Sequence, residues 1–229
     1  MPKYINSDLI FKSRTEAGKQ LAEKLIEACR GKPLLEKPIV IALPRGGVPT
    51  AKPISDLLHT KLDIMVSKKI GALFNPELAI GAVTSHGDYV IAPYYMDMLN
   101  EVNLERENKW NYIQEQIVYL VKDCQEKEKK YRSGRFEICH YTGNDVIIVD
   151  DGIATGMTMI AAIKSIKKQN PKNIILAVPV ISYEAFTELK EEVNKIEFLK
   201  IPRDFIAVGV HYTNFNQVSD EEIKGMLNQ

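Results

Sequence analysis

The most informative absences in this sequence concern cysteine, net charge and long apolar runs. Its 229 residues contain three cysteines, an odd number without metal-binding spacing, so neither a disulfide framework nor a cysteine metal site is expected. Thirty lysines and arginines balance thirty acidic residues, which leaves no overall field to attract nucleic acid or a membrane. No apolar run is long enough to span a bilayer, and the N-terminus lacks the apolar core of a signal peptide. These absences predict a cytoplasmic protein with packing thiols and without nucleic-acid or membrane partners.

Signatures of several enzyme classes are also missing. No Gly-Lys-Ser/Thr sequence closes a Walker phosphate loop, and nothing else marks a nucleotide hydrolase. The histidines show no ligand pairing, and we interpret all four as structural: His59, His86, His140 and His211. A hydrophobic content of 45% suits a sizeable core, and the length suits one domain over residues 1–229.

The strongest positive signal is a stretch in the second half of the chain. Residues 146–149 are four β-branched apolar residues, typical of a strand buried on both faces of a parallel sheet. Asp150 and Asp151 follow where that strand ends. A loop of small and hydroxyl residues comes next, and a helical pattern begins near Met159. The strand–loop–helix order predicts a ligand site at the carboxyl edge of the sheet.

The residue types in this loop suit a sugar phosphate. Gly152 and Gly156 allow a tight turn and a close approach of the backbone to a ligand. Free N–H groups at the helix start, with the hydroxyls of Thr155 and Thr158, form an anion site. The adjacent carboxylates repel phosphate but accept hydrogen bonds from a diol or hold Mg²⁺ through water. Phosphate beside a diol describes a ribose 5-phosphate, whereas the alternative is a glycine turn capped by aspartate.

The stretch resembles the 5-phosphoribosyl-1-pyrophosphate (PRPP) motif of type I phosphoribosyltransferases: an apolar strand, two acids, small residues and Thr-Gly-x-Thr. The resemblance implies that Asp150 and Asp151 hold the ribose hydroxyls and orient PRPP with Mg²⁺. It implies that the donor-binding loop consists of Gly152, Ala154, Thr155, Gly156, Met157 and Thr158. The implied reaction is displacement at the anomeric carbon with release of pyrophosphate, in nucleotide metabolism or salvage.

A second strand leads into a second glycine loop. Residues 38–43 form a buried strand, and Arg45, Gly46 and Gly47 follow it. Successive glycines expose N–H groups, and arginine adds a fork of donors for phosphate oxygens. By itself this could be an ordinary turn. Beside the acid pair it is similar to the pyrophosphate-binding loop of the same family, which implies an unusual backbone conformation near Arg45.

Two lysines continue this pattern after a third predicted strand, residues 62–66. Lys68 and Lys69 would stand at its carboxyl end and face pyrophosphate; the alternative is a solvated edge. Further on, residues 78–83 and 89–91 predict a hairpin. In the family a mobile flap occupies this region and closes over the reacting centre, which excludes water.

Glu77 is the candidate for handling the acceptor proton. Some enzymes of the family place an acid in the central loop, where this chain has Ala154. Others use a charged residue from the flap, and here the flap offers Glu77. The alternative is an exposed loop acid without a role.

Two predicted helices flank these features. A capping box at Ser13 begins a first helix, in which we expect no functional residue. Residues 94–132 predict one long polar helix with an apolar stripe that includes Trp110. Simple purine phosphoribosyltransferases do not usually carry so long a helix here, and this departure leaves the acceptor open. From its length and from Trp110 on its stripe, we expect the helix to pack against a second subunit in a homodimer.

The C-terminal part of the chain is expected to hold the acceptor. Strands are predicted at 173–180 and 196–201, and Ser219 caps a last short helix. Phe205 and Ile206 lie in a stretch that resembles the base-stacking segment of purine salvage enzymes, although one extra residue shifts the alignment. An aromatic face suits a flat base. The alternative is an edge strand packed on the core.

Together these features predict an α/β fold with a parallel sheet, helices on both faces, a flap and long inserted helix over about 71–133, and a hood over about 201–229. The predicted function is Mg²⁺-dependent transfer of phosphoribosyl from PRPP to a small nucleobase-like acceptor. A non-catalytic PRPP sensor on the same fold is the alternative. The sequence does not identify the acceptor.

Overall fold

A five-stranded parallel sheet organises the protein, for which a computed structural model describes residues 4–6, 8–29, 38–100, 106–132 and 140–228. The strands are β1 Ile39–Ala42, β2 Leu62–Ile64, β6 Asp145–Val149, β7 Asn173–Val180 and β8 Lys195–Lys200. Their order is β2-β1-β6-β7-β8, and every neighbouring pair is parallel. The predicted fold class is therefore confirmed.

The strand register brings two of the predicted loops to one edge. Ala42, the last residue of β1, pairs with Val149, the last residue of β6. The loop that contains Arg45 and the acid pair therefore begin at the same level of the sheet. In parallel sheets this carboxyl edge is where ligands bind.

Helices cover both faces of the sheet. On one face, α1 Arg14–Cys29 and α2 Gly47–Leu57 pack through Leu21 and Ile54 against alternate strand residues such as Ile147. On the other, α5 Met157–Lys167 and α6 Tyr183–Leu189 pack against the intervening ones, such as Ile148. Because side chains alternate along a strand, the unbroken β-branched run of β6 fills both cores.

Pro53 lies inside α2, although a proline normally interrupts a helix. The helix begins at Gly47, immediately after the Arg45 loop, and continues through Pro53 to Leu57. Its first two N–H groups, those of Gly47 and Val48, donate to the carbonyl oxygens of Leu43 and Arg45, so the backbone before the helix closes its start.

A second, antiparallel sheet contains the predicted hairpin. It consists of β3 Ser67–Ala72, β4 Asn75–Thr84 and β5 Tyr89–Ile91, in that order. The pairing of β4 with β5 confirms the hairpin, whereas β3 was not predicted. The expectation that Lys68 and Lys69 end the third parallel strand is wrong. That strand stops at Ile64, and after Met65 the chain leaves the parallel sheet, where the N–H of Val66 donates to Glu128 Oε2 at 3.1 Å.

The antiparallel sheet is fastened to α5, the helix that follows the acid pair. Ser165 Oγ donates to Asp88 Oδ2 at 2.5 Å, and Lys168 also pairs with Asp88. Thr84 Oγ1 and Ser165 Oγ lie 3.2 Å apart. These contacts fix one end of the sheet, while Phe74 at the opposite turn is 88% exposed.

The described part of the predicted long helix is helical on both sides of residues 101–105. The helices are α3 Pro93–Asn100 and α4 Arg106–Arg132, and residues 101–105 lie outside the described part of the chain. Trp110 is half-buried and packs, with buried Ile113 and Ile117, against the core of its own chain. Its contacts are therefore intramolecular, and the homodimer remains a prediction.

The C-terminal segment contains little regular structure before its last helix. Residues 205–207 are irregular, Val208–His211 form one turn of 3₁₀ helix, and α7 spans Asp220–Leu227. The capping box at Ser219 is confirmed. No helix among the described residues is long and apolar enough to cross a membrane.

Candidate active site

The acid pair directly follows β6 and is poorly solvated. Asp150 Oδ1 accepts a hydrogen bond from the backbone N–H of Asp151 at 2.8 Å. Burial and the neighbouring charge of Asp151 raise the pKa of Asp150 well above its ordinary range. Burial also raises the pKa of Asp151, although Arg14 opposes the shift. Hydroxyl donors or a cation would relieve this concentration of negative charge.

The loop after the acids is shaped by β7 and by one left-handed glycine. Backbone bonds tie Ile153 to Val180, and Ser182 Oγ donates to the carbonyl of Ala154 at 2.7 Å. Gly156 has φ of +79° at the N-cap of α5, a conformation that glycine adopts without strain. The predicted tight turn is therefore present at Gly156, with Thr155 exposed beside it.

Gly152 serves packing within the chain. A Cβ atom placed there would lie 2.5 Å from Val208 Cγ1 and 2.9 Å from Val180 Cγ1. The missing side chain therefore lets the hood approach the acid loop. The sequence pattern had indicated a close approach to a ligand instead.

The Arg45 loop touches the acid pair. The peptide bond between Pro44 and Arg45 is cis, so the backbone is unusual where the resemblance implied it. A Cβ atom on Gly46 would lie only 1.8 Å from Asp151 Oδ2, and one on Gly47 would lie 2.7 Å from the carbonyl oxygen of Val149. Gly46 thus leaves the room that the Asp151 carboxylate fills, and Gly47 lets the loop lie against the end of β6.

Arg45 is exposed and faces the C-terminal segment. With its amide oxygen turned toward Arg45, Gln217 accepts from Nη1 at 3.1 Å. Burial raises the pKa of Tyr131 to about 12, and the positive charges of Arg45 and Lys68 oppose that rise. Arg45 and Lys68 therefore share the neighbourhood of Tyr131.

The two flap lysines lie on opposite sides of β3, because successive strand side chains alternate. Lys68 Nζ is 2.5 Å from Asp123 Oδ2 of α4. Lys69 Nζ is 3.0 Å from Glu77 Oε2, and the Glu77 side chain is 90% exposed. The structure thus groups Lys68 with Arg45 and pairs Lys69 with Glu77, and no described contact links Glu77 to the acid pair.

The predicted acceptor residues have different environments. Phe205 is half-buried against the core, with its ring centroid 5.4 Å from that of His211. Ile206 is 82% exposed. The segment is irregular, so the alternative of an edge strand is wrong.

Arg14 is the functional candidate that the sequence analysis missed. Its Nε donates to Asp151 Oδ2 at 2.6 Å, although the first helix was expected to carry no functional residue. One signal was available: a cation in the first turn of a helix opposes the macrodipole, so Arg14 needs another reason for its position. Tyr212 adds a second contact, from its hydroxyl to the carbonyl of Asp151.

The acid pair is also the candidate binding site for a metal ion. No group of three or more histidine, cysteine or acidic residues within the described ranges could hold a metal ion. Asp150 and Asp151 provide adjacent hard oxygen donors, of which Asp151 is paired with Arg14, and such donors fit Mg²⁺ held through water and substrate oxygens.

Comparison with known proteins agrees with this geometry. The family model of the phosphoribosyl transferase domain matches residues 12–213. Chains from two strains of Mycobacterium tuberculosis, each named provisionally as a phosphoribosyl transferase, are 34% identical over 220 residues, which is 96% of this chain. That match covers 47% of each relative, so the chain spans about half the length of the curated relatives it matches.

Among solved structures, TT1426 from Thermus thermophilus is 35% identical with a TM-score of 0.77, and the match covers 96% of this chain and 98% of that one. The matched region of the family model includes β1, the acid pair, the loop before α5 and the antiparallel sheet. The chain therefore belongs to the type I phosphoribosyltransferase family.

Proposed function

We propose that this protein uses PRPP and Mg²⁺ to transfer phosphoribosyl to a nucleobase-like acceptor, with release of pyrophosphate. The observation that carries the proposal is the contact between the two loops. A Cβ atom on Gly46 would overlap Asp151 Oδ2 at 1.8 Å, so the anion loop after β1 borders the acid pair after β6. A donor with a diol between two phosphate groups needs both loops side by side.

Each end of PRPP has a matching set of groups. The first N–H groups of α5 and the hydroxyls of Thr155 and Thr158 bind the 5-phosphate. Asp150 and Asp151 accept hydrogen bonds from the ribose hydroxyls. The pyrophosphate lies at the loop that contains Arg45, near the side chains of Arg45 and Lys68.

The reaction exchanges one bond at the anomeric carbon for another. The bond from that carbon to the pyrophosphate oxygen breaks, and its electron pair leaves with pyrophosphate. A bond from an acceptor nitrogen to the same carbon forms, and that nitrogen loses its proton. Bound Mg²⁺ neutralises charge that develops on the leaving pyrophosphate. The chain's own residues hold the donor in line with the acceptor.

The flap and the hood complete the proposed site. The antiparallel sheet is anchored to α5 at Asp88. In this proposal its free turn closes over the donor, and the closure excludes water. Glu77 remains the proposed group that takes the proton from the acceptor nitrogen. On closure its carboxylate would have to leave Lys69 and contact the acceptor. Phe205 and Ile206 remain the proposed acceptor face.

Turnover with PRPP tests the proposal. PRPP, Mg²⁺ and a panel of purine and pyrimidine bases would be incubated with the protein, and pyrophosphate release would be followed. An Asp150→Asn, Asp151→Asn double variant serves as the inactive control, because it keeps shape and removes both charges. We expect base-dependent release by the wild type only.

Calorimetry separates the enzyme from a sensor. Tight PRPP binding without turnover for any acceptor in the panel would favour a PRPP-sensing regulator on this fold. The absence of PRPP binding would contradict both functions.

A further inference from the structure

Arg14 joins the acid pair to the C-terminal segment. Its Nε donates to Asp151 Oδ2 at 2.6 Å, and its Nη1 donates to the carbonyl oxygen of Asn216 at 2.8 Å. Its guanidinium carbon lies 3.7 Å from the ring centroid of Phe215. The side chains of Arg14 and Asp151 are only 12% and 13% exposed, so solvent screens this pair far less than a surface ion pair.

The backbone of Arg14 is held in place by the packing of its helix. Ser13 Oγ accepts from the N–H of Glu16 at 3.2 Å and caps the first turn. A Cβ atom on Gly18 would lie 2.2 Å from the carbonyl oxygen of Thr50, which shows how closely α1 and α2 pack. The guanidinium group therefore extends from a fixed point on the scaffold.

The Arg45 loop leaves room for this ion pair. A Cβ atom on Gly46 would lie 1.8 Å from Asp151 Oδ2 and 3.0 Å from Arg14 Nε. The pair thus sits against the loop proposed for pyrophosphate. Because Arg14 donates to Oδ2 of Asp151, a further donor to this carboxylate would bind Oδ1.

We propose that Arg14 is a positioning residue of the donor site. It holds Asp151 Oδ2 in one orientation, so that Oδ1 accepts from a ribose hydroxyl. The inference rests on the proposed function, because it assumes that PRPP binds at the acid pair. In this arrangement Arg14 stays on Oδ2 when PRPP binds, because the ribose hydroxyl uses the other oxygen of Asp151.

The geometry requires arginine specifically. The guanidinium group donates from Nε and Nη1 to two partners while its flat face lies on Phe215. A lysine ammonium is a point charge that cannot reproduce this fork and stacking together. Arg14→Lys keeps the positive charge but loses the fixed orientation of the contacts, so this variant distinguishes the two effects.

Calorimetric titration with PRPP and Mg²⁺ tests the inference. The variants are Arg14→Gln, Arg14→Lys and, as a matched control on the same helix, exposed Lys19→Ala. We expect wild-type affinity for Lys19→Ala and about tenfold weaker binding for Arg14→Gln, the size of coupling usual for contacting residues. Arg14→Lys should resemble Arg14→Gln more than wild type. Melting temperatures establish that each variant is folded. If Arg14→Gln does not fold, the PRPP affinity of Arg14→Lys tests the positioning role instead.

The same titration in an Asp151→Asn background distinguishes positioning from direct contact. If Arg14 acts through Asp151, adding Arg14→Gln there should weaken PRPP binding by less than about twofold. A full further loss in that background would overturn the positioning role. So would wild-type or tighter binding by Arg14→Gln, with the proposed function left intact. Failure of the wild type to bind PRPP would overturn both proposals.

Discussion

Replacing Gly46 by alanine should displace Asp151 without straining the backbone. Gly46 has φ of −63° and ψ of −32°, which alanine adopts readily, so the only obstacle is space. The new Cβ would lie 1.8 Å from Asp151 Oδ2 and 2.4 Å from Cγ, and the short aspartate side chain must rotate away. Rotation breaks the bond from Arg14 to Oδ2.

The size of the effect follows from that bond. A hydrogen bond between charged partners contributes about 1.5–3 kcal/mol, so Gly46→Ala should lower the free energy of unfolding by about that amount. If Asp151 binds the ribose, PRPP affinity should fall by the same free energy, which is roughly 10- to 150-fold.

Urea unfolding and calorimetric titration with PRPP measure the two effects. Gly225→Ala is the matched control, because a Cβ there meets nothing within 4 Å and the residue lies inside α7. That variant should bind PRPP normally and gain about 0.5–1 kcal/mol of stability from the lower flexibility of its unfolded chain. Wild-type stability and affinity in Gly46→Ala would refute the steric reasoning.

Three further predictions concern the core and the hood. Glu128→Ala should lower the free energy of unfolding by about 3–5 kcal/mol in urea, because it leaves the buried guanidinium of Arg132 without one partner, whereas exposed Glu126→Ala should change little. Burial lowers the pKa of His211 to about 4 from 6.5, so stability should be complete above pH 6.5 and fall as the pH drops toward 4. At 1.36 kcal/mol per pH unit the loss is at most about 3 kcal/mol and is reduced by solvent screening, and acid unfolding curves that do not differ between wild type and His211→Gln would contradict it. Phe205→Ala should weaken nucleoside monophosphate binding and preserve PRPP binding, with some loss of melting temperature because Phe205 also packs on the core; early melting with normal nucleotide binding would exclude the stacking role.

The central strand, loop and helix were predictable because their signals are local. A run of β-branched residues over 146–149 requires burial on both faces, and β6 is buried at every position. Gly156 supplies the left-handed turn at the start of α5. The box at Ser219 caps α7 through contacts three residues apart. Periodicity and turn chemistry are properties of neighbouring residues, so they can be read before the chain folds.

The flap shows where local signals were insufficient. The residues after Ile64 looked like the end of a parallel strand. The N–H of Val66 instead donates to Glu128 of a distant helix, and the chain continues into a different sheet. Alternation along β3 then sends Lys68 toward α4 and Lys69 toward Glu77. Two adjacent lysines with the same sequence signal therefore have different surroundings.

By itself, the sequence determined the parallel strands, the two glycine loops at their carboxyl ends and the chemistry of the acid pair, because each depends on residue types within one short segment. Only the tertiary structure decided which distant side chains meet there. Arg14 and Asp151 are 137 positions apart, and the packing of α1 on α2 brings them within 2.6 Å. The need for glycine at position 46 also depends on tertiary structure, because the atoms that a side chain there would meet belong to distant segments.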